Sequence, residues 1–314
     1  MEEKLPNPNI IINLNKPRDI SSQQAVTRIK RLLGARKAGH AGTLDPLATG
    51  VLVVCLNEAT KIARFLSDLD KKYTVCLKLG ERTDTYDSTG SIVEERDYSK
   101  ITEADVRKLL PGFQGLIQQT PPMYSAIKMH GQTLYKLARK GITLEVPART
   151  VKIKSIDLIS FGPPYVALGV SCSKGTYIRS LCDDLGNALG VGAHMTALER
   201  TMVGIFSVEE SVSFEDLTNR ENFSFFSMDE AIPQLKEYTL DPESYRKARN
   251  GVPVHLPADY VDENASNSII FNGSTDPVGS GQKADYVRLK DPAHDLFGIG
   301  RIEGEMIKIE RLLN

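Results

Sequence analysis

The 314-residue sequence predicts an α+β fold, with a mixed, largely antiparallel sheet flanked by helices and a small β-rich domain after it. Strand and helix patterns are mixed without strict β-α-β order, which favours such a sheet over a parallel one. Near residue 245 the long helical patterns cease. Residues 251–314 carry six Lys/Arg and ten Asp/Glu, a net charge of −4, whereas the other 250 residues carry +3. We therefore expect two domains, 1–244 and 245–314.

The first predicted elements surround a glycine-rich turn. Residues 10–14 form an apolar strand, and a helix follows in which Ser21 and Gln24 make a capping box ahead of an apolar stripe. Residues 39–50 are rich in glycine and turn-forming residues, and the apolar run 51–56 is a buried strand. The turn is therefore expected between a helix and a strand.

Later elements follow from periodicity and from Pro and Gly. Residues 73–79 alternate between apolar and polar side chains, which predicts a strand with Tyr73 on its apolar face. The elements expected after it, in chain order, are a helix over 102–110, an extended segment over 120–128, a short basic helix over 134–140, strands over 149–160 and 165–173, and a helix over 177–189.

Composition excludes several classes of protein. Hydrophobic residues make up 41% of the chain and charged residues 25%, which indicates a globular protein with a substantial core. No apolar run reaches about 18 residues, and the first residues lack the pattern of a secretory signal, so neither a membrane span nor secretion is expected. The cysteines form no Cys-x-x-Cys pair and no histidine lies at zinc spacing from them. We expect reduced thiols, no metal, no organic cofactor and a cytoplasmic location.

Local charge differs from net charge. The net charge of −1 excludes a globally basic nucleic-acid binder. However, residues 11–40 carry seven Lys/Arg against one acid, and residues 121–160 carry seven against two. Such patches fit either a localised binding surface for a polyanion or an ordinary solvated surface, and charge alone does not separate these alternatives.

Two residues have local settings that suggest chemistry. Asp45 lies in the glycine-rich turn, where the backbone permits a ligand to approach closely. An aspartate before Pro46 also suits a helix N-cap with proline at the first helical position. Arg179 falls in the first turn of its predicted helix, where its charge opposes the helix dipole, so a carboxylate or phosphate is expected beside it. A purely structural salt bridge would satisfy this expectation equally well.

Tyr73 and His40 are open to two interpretations each. Tyr73, on the apolar face of its strand, suits either the core or an aromatic platform for an RNA base. His40 is flanked by glycine and alanine, so it is not fixed in an apolar stripe. It could be structural, or it could hydrogen-bond a base or phosphate or act as an acid or base.

Several segments, in order over roughly residues 9–206, resemble the bacterial TruB-type tRNA pseudouridine synthases. The tail resembles the small PUA-like RNA-binding domain of this family more weakly. The segments are Lys16-Pro17 with Ser21-Ser22, Gly39-His40-Ala41-Gly42-Thr43-Leu44-Asp45-Pro46, Ala48-Thr49-Gly50, Lys72-Tyr73, Leu79-Gly80-Glu81-Arg82-Thr83-Asp84-Thr85, Pro121-Pro122-Met123-Tyr124-Ser125-Ala126, Lys174-Gly175-Thr176-Tyr177-Ile178-Arg179, and Ala197-Leu198-Glu199-Arg200-Thr201 before Val203-Gly204.

The resemblance implies the pseudouridine-synthase fold with a bifurcated mixed sheet. It implies that the T-loop uridine at position 55 of tRNA is isomerised to pseudouridine without a metal or cofactor. The base is flipped out, the C1′–N1 bond breaks, the uracil turns, and it rejoins through C5. The expected partner is the T arm of tRNA, bound by a monomer.

The resemblance also implies roles for individual residues. Asp45 matches the catalytic carboxylate, acting either as a nucleophile at C1′ or as a base at the 2′ proton. Arg179 would pair with Asp45. Tyr73 would stack on the flipped uracil and assist removal of the proton at C5, and His40 would hold the extruded nucleotide.

The remaining matched positions concern RNA contacts. Tyr177 and Leu198 match substrate-contacting positions. Lys128 and the basic stretch near 124–154 would form a mobile RNA clamp.

Two other functional classes remain open. A non-catalytic tRNA-folding chaperone would use the basic patches and the aromatic platform equally well, but it would need neither Asp45 nor Arg179. A glycosidase normally requires two cooperating carboxylates, for which Asp84 or Asp87 would supply the second. Release of free uracil from RNA would indicate the glycosidase.

Overall fold

The computed structural model divides the chain into two compact units, Met1–Phe225 and Phe226–Asn314. None of the helices in the described ranges is long and apolar enough to cross a membrane. The residues that the structure describes are 8–125, 127–129, 131–142, 144–219, 223–256 and 285–313.

The first unit combines strands with short helices. Its helices are α1 Ser22–Leu32, α2 Ala63–Ser67, α3 Glu103–Leu109, α4 Leu134–Ala138, α5 Ile178–Ala188 and α6 Phe214–Asn219, with 3₁₀ turns at Asn57–Lys61 and Leu110–Phe113. Its strands are β1 Ile11–Lys16, β2 Ala38–His40, β3 Thr49–Leu56, β4 Lys71–Leu79, β5 Glu81–Thr83, β6 Ile92–Glu95, β7 Gly115–Gln119, β8 Lys128–Met129, β9 Gln132–Thr133, β10 Arg149–Gly162, β11 Tyr165–Cys172, β12 Ala193–Val203 and β13 Phe206–Ser207.

The main sheet of this unit is mixed and forks at β3. Its strand order is β1-β3-β12-β4-β11-β10-β7. The β3–β12 pair is parallel, and the other neighbours along this order are antiparallel. On one side of β3, β12 pairs with Thr49 and Gly50, while β2 pairs with Val54–Leu56. The predicted bifurcated, largely antiparallel sheet is confirmed.

Helix α1 shows how local sequence fixes an element and its packing. Ser21 and Gln24 form the predicted capping box, in which the Ser21 hydroxyl accepts from the Gln24 N–H. Ala25, Val26 and Ile29 on the apolar stripe are buried against the sheet. Each such side chain contributes about 1 to 3 kcal/mol on burial, which holds the start of the glycine-rich turn in place.

The second unit is a β-sheet with a single described helix. Its elements are β14 Lys236–Thr239, α7 Pro242–Arg249, β15 Val254–His255, β16 Tyr286–Lys290, β17 Leu296–Glu303 and β18 Met306–Leu312, with strand order β14-β16-β17-β18-β15. The predicted β-rich C-terminal domain is confirmed.

The boundary between the units differs from the predicted one. A division between residues 244 and 245 falls inside α7, whose N-cap is Asp241. The segment before it belongs to the second unit because β14 pairs in parallel with β16. The structure therefore places the division at 225/226, and the tail contains a helix that the sequence pattern did not indicate.

Candidate active site

A cavity of about 660 Å³ lies in the first unit beside the glycine-rich turn. Its volume is within the usual range for small-ligand sites. The predicted residues Asp45, Arg179, Tyr73, Tyr177 and Leu198 all line it. The structure thus brings together residues from four separate parts of the chain.

Asp45 and Arg179 form an ion pair at the centre of the cavity. Arg179 Nη2 donates to Asp45 Oδ1 at 3.3 Å, and Arg179 Nε lies 3.0 Å from Asp45 Oδ2 without hydrogen-bond geometry. The Arg179 side chain is 5% exposed and that of Asp45 is 31% exposed. Arg179 also donates to the carbonyls of Tyr124 and Thr85, at 2.8 and 3.2 Å. The arginine is therefore fixed from several sides and presents the carboxylate to the cavity.

Asp87 is a second carboxylate on Arg179. Its Oδ2 lies 3.4 Å from Arg179 Nη1, and its side chain is 6% exposed. Its Oδ1 accepts from the Thr85 hydroxyl at 2.8 Å and from the Thr89 N–H at 2.9 Å. These contacts balance part of the buried charge of Arg179 and leave Asp87 engaged by the protein.

The turn that carries Asp45 is tied to α1 and β1. The Ser22 hydroxyl donates to the Leu44 carbonyl and accepts from the Leu44 N–H, both at 2.8 Å. The buried Lys16 Nζ donates to the Pro46 carbonyl at 3.3 Å. The interpretation of Asp45 as a helix N-cap is wrong, because residues 46–47 form a turn closed by the Ala48 N–H on the Asp45 carbonyl at 3.1 Å.

Arg200 holds the same turn from β12. Its side chain donates to the carbonyls of Val51, Thr43 and Gly42, at 2.7, 3.3 and 3.1 Å, and the residue is 1% exposed. Sequence reasoning assigned Arg200 no role. The available signal was a charged residue inside a strand whose neighbours face the core. Backbone carbonyls satisfy the guanidinium there, so Arg200 fixes the backbone path on both sides of Asp45.

Tyr73 contributes an aromatic ring to the wall of the cavity. It is partly exposed on β4, so it is neither fully in the core nor free of it. Burial raises the pKa of the Tyr73 phenol, and the nearby Arg200 offsets part of that rise. The Tyr73 phenol therefore stays protonated at neutral pH.

His40 is not among the described residues that line the cavity, and the side chain of Lys128 is not described. His40 is half-buried on β2 and its Nδ1 has no hydrogen-bond partner in the described part of the chain. Burial, and then Arg200, lower the pKa of His40, so its imidazole is neutral at pH 7. Lys128 lies in the short strand β8, which pairs with β9, and its side chain falls outside the described residues.

Within the described ranges, no group of three or more His, Cys, Asp or Glu side chains is arranged to hold a metal ion. Cys55, Cys76, Cys172 and Cys182 are free. The chemistry available at the cavity is that of a presented carboxylate, a fixed guanidinium and aromatic rings.

The forked mixed sheet with an aspartate–arginine pair in a cavity of about 660 Å³ defines a protein of the pseudouridine-synthase class. A family model for the N-terminal domain of TruB family pseudouridylate synthases matches residues 30–178. A model for the C-terminal domain of tRNA pseudouridylate synthase B matches residues 179–240. The chain belongs to the TruB family of pseudouridine synthases.

Two relatives named tRNA pseudouridine synthase B are similar to this protein over most of the chain. The tRNA pseudouridine synthase B of Clostridium tetani is 45% identical over 278 residues, covering 88% of this chain and 96% of that protein. The protein of the same name from Pseudomonas aeruginosa is 41% identical, covering 93% of this chain and 91% of its own length.

Solved structures support the fold. The crystal structure of a Cbf5-Nop10-Gar1 complex contains a chain that matches with a TM-score of 0.71 and 25% identity, covering 97% of this chain and 84% of that one. The structure of an H/ACA ribonucleoprotein bound to a substrate RNA containing 2′-deoxyuridine contains a chain that matches with a TM-score of 0.69 and 23% identity. The match covers 100% of this chain and 92% of that one. At 23% identity the likeness concerns the fold alone.

Proposed function

We propose that this protein converts uridine to pseudouridine in tRNA, at the T-loop position 55. The observation that carries the proposal is the Asp45 carboxylate, which Arg179 and the fixed turn present to a cavity of about 660 Å³. The tRNA pseudouridine synthase B relatives, at 40 to 45% identity over most of the chain, support tRNA as the substrate.

The proposed reaction begins with a flipped nucleotide. The T-loop uridine is stacked in the tRNA, so flipping it out takes a few kcal/mol, which contacts to the RNA backbone offset. With its ribose beside Asp45, the carboxylate either attacks C1′ or removes the 2′ proton. The uracil then turns within the cavity and C5 bonds to C1′, which releases Asp45 from C1′ on the first route or is accompanied by return of the proton to C2′ on the second. The C5 proton is lost and N1 gains one, so the product is an isomer of uridine. Both routes need an ionised, accessible carboxylate, and neither needs a metal.

The walls of the cavity suit the parts of such a substrate. Tyr73 supplies a ring on which the uracil stacks, and Tyr177 and Leu198 are proposed to contact the flipped nucleotide. Arg139 also lines the cavity and supplies positive charge for backbone phosphates. The contacts predicted for His40 and Lys128 stay predictions.

The alternatives are less well supported. A chaperone has no use for a carboxylate held on a buried arginine. A glycosidase needs a second carboxylate that exchanges protons, but Asp87 Oδ1 is already bonded to Thr85 and Thr89. Asp84 Oδ1 accepts from the Ser91 N–H at 2.9 Å and does not line the cavity.

A modification map tests the proposal. The protein is incubated with an unmodified tRNA transcript and with a matched transcript in which the T-loop uridine is replaced by cytidine. We expect one pseudouridine at position 55 in the first and none in the second. Pseudouridine at a different position would refute the proposed target. Release of free uracil would establish a glycosidase. Tight binding without modification would indicate the non-catalytic chaperone.

The cytoplasm, where tRNA substrates occur, is the proposed compartment, and a monomer is the proposed active form. Sedimentation of the protein with and without T-arm RNA tests the second point. A dimer under both conditions would contradict it.

A further inference from the structure

Tyr177 is held through its backbone by a buried amide. Gln119, at the end of β7, is 1% exposed. Its Nε2 donates to the Tyr177 carbonyl at 2.9 Å, and its Oε1 accepts from the Tyr177 N–H at 2.7 Å. Tyr177 is the N-cap residue of α5, and its own side chain makes no capping hydrogen bond. Gln119 therefore sets the backbone of Tyr177 and the start of α5 together.

Tyr177 is also held through its ring. The guanidinium carbon of Arg149 lies 4.6 Å from the centroid of the Tyr177 ring. Arg149 Nη2 donates to the Gly175 carbonyl, in the turn that leads to Tyr177. Arg149 lines the cavity, and its Nε has no hydrogen-bond partner among the described residues. The planar guanidinium thus covers one face of the ring and anchors the preceding turn.

The two contacts come from one place in the sheet. Gln119 and Arg149 are directly opposite each other in the antiparallel pairing of β7 with β10. Side chains of opposite residues project on the same face of a sheet, so this edge presents an amide and a guanidinium side by side. One fixes the backbone of Tyr177 and the other its ring.

We propose that Gln119 and Arg149 form a two-point clamp that positions the Tyr177 ring against the flipped nucleotide. The inference rests on the proposed function, in which Tyr177 contacts the substrate. Neither clamp residue reacts; both are positioning residues that act through Tyr177. The clamp also connects the RNA-contacting ring to α5, which carries Arg179 two residues later. A displaced ring would therefore slow the chemical step more than it would weaken RNA binding.

A double-mutant cycle tests the clamp. Arg149→Lys keeps the positive charge but loses the planar fork and the stacked face. We expect it to lower the single-turnover rate of pseudouridine formation by about 10- to 100-fold, as small misplacements do, while the Kd for T-arm RNA changes by less than about threefold. In a Tyr177→Ala background, which is itself slow, Arg149→Lys is expected to have no further effect.

A second variant and a matched control complete the experiment. Gln119→Glu keeps the side-chain shape but loses the donor to the Tyr177 carbonyl, and it should show the same rate loss and the same non-additivity. Arg107→Lys changes an exposed arginine paired with Glu103 on α3 and is expected to leave both rate and Kd unchanged. Melting temperatures establish that each variant folds.

The outcomes distinguish failure of the clamp from failure of the proposed substrate contact of Tyr177. If Arg149→Lys slows the reaction equally with and without Tyr177, or weakens RNA binding alone, the clamp is refuted. If Tyr177→Ala retains the wild-type rate, the substrate contact of Tyr177 is refuted and the clamp falls with it. In that case uridine isomerisation by the wild-type protein stands unaffected.

Discussion

At the scale of single residues, the site depends on an unequal distribution of burial around Arg179. Two carboxylates share this arginine, but Asp87 is nearly buried and bonded to Thr85 and Thr89, whereas Asp45 is 31% exposed toward the cavity. Asp87 also lines the cavity, but its carboxylate is engaged by Thr85, Thr89 and Arg179. Asp45 is consequently the more accessible of the two carboxylates, and the one proposed to meet an extruded ribose.

Substitution of Arg179 by lysine tests the geometry of the pair. Lysine keeps the charge but cannot reach Asp45, Thr85 and the Tyr124 carbonyl together, because it lacks the planar fork. We expect Arg179→Lys to lower the single-turnover rate by about 100-fold with little change in RNA affinity. Arg107→Lys, on the surface of α3, is the matched control and should react normally. A normal rate for Arg179→Lys would show that the fork has no role.

Sequence reasoning identified the two ends of this ion pair but not its supports. Asp45 and Arg179 each have an unusual local setting, but only the resemblance to the TruB-type synthases implied that they pair. Gln119 and Arg200 do not, because their partners lie far away along the chain: Gln119 bonds to Tyr177, and Arg200 bonds to Gly42. Long-range hydrogen bonds leave no periodic signal in the sequence.

At the scale of elements, the glycine-rich turn is fixed by the strands and the helix around it. Lys16 reaches it from β1, Ser22 from α1 and Arg200 from β12. Gly50 lies where β3 and β12 meet in parallel, with φ +93°. A Cβ at Gly50 would overlap the Arg200 carbonyl. The close approach of these strands therefore requires glycine at this position.

Substitution of Gly50 by alanine tests this packing. The change strains a left-handed backbone position and forces β12 away from the turn, so we expect a loss of about 2 kcal/mol or more in the free energy of unfolding. Pseudouridine formation should fall as well. The control is Gly112→Ala, where nothing lies within 4 Å of the added Cβ. Equal stability of the two variants in denaturant unfolding would contradict the account.

Helix α5 carries Asp184, a carboxyl group whose shifted pKa makes stability depend on pH. Burial, and then the neighbouring Asp183, raise the pKa of Asp184 to about 6. The unfolded chain binds fewer protons than the folded chain between the ordinary value of 3.8 and about 6, so this group destabilises the fold as pH rises through that window.

Asp184→Asn removes the destabilising ionisation. We expect the variant to be more stable than wild type at pH 7, by about 1 to 2 kcal/mol after allowance for partial exposure, and to lose this advantage near pH 4. Denaturant unfolding at both pH values measures the difference. Asp97→Asn, at an exposed turn, should show no such gain. An advantage for Asp184→Asn that is independent of pH would contradict the assignment.

The elements themselves were predictable where the signal was local. The alternation of β4, the capping box of α1 and the paired strands β10 and β11 all occur close to their expected positions. The segment 134–140 forms the shorter helix α4, Leu134–Ala138. The boundary error at 244/245 arose because β14, a short polar strand, is defined by its pairing with β16, which lies far away in sequence.

At the scale of the whole molecule, the net charge of −1 does not describe how basic side chains are placed in each unit. In the second unit, Arg288 and Lys290 are paired with Asp229 and Glu237. Near the cavity of the first unit, Arg139, Arg149 and Lys71 line the wall. Part of the positive charge available to RNA, that of Arg139, therefore lies at the cavity wall.

Salt dependence tests this distribution. Phosphate contacts release counterions, so we expect the affinity for T-arm RNA to fall by about tenfold or more between 50 and 200 mM salt, despite the negative net charge. Arg139→Gln should reduce the slope of log K against log salt by about one, while Arg107→Gln should not change it. Binding that does not respond to salt would contradict the basic cavity wall.

The central claim is that Asp45 is the reacting carboxylate, and single-turnover kinetics of Asp45→Asn test it most directly. The amide keeps the shape of the side chain but supplies neither a nucleophile nor a base. With saturating enzyme on a T-arm stem-loop, we predict RNA binding close to wild type and a rate of pseudouridine formation at least about 100-fold lower. Asp97→Asn should retain the wild-type rate. Pseudouridine formation by Asp45→Asn at the wild-type rate would contradict the account.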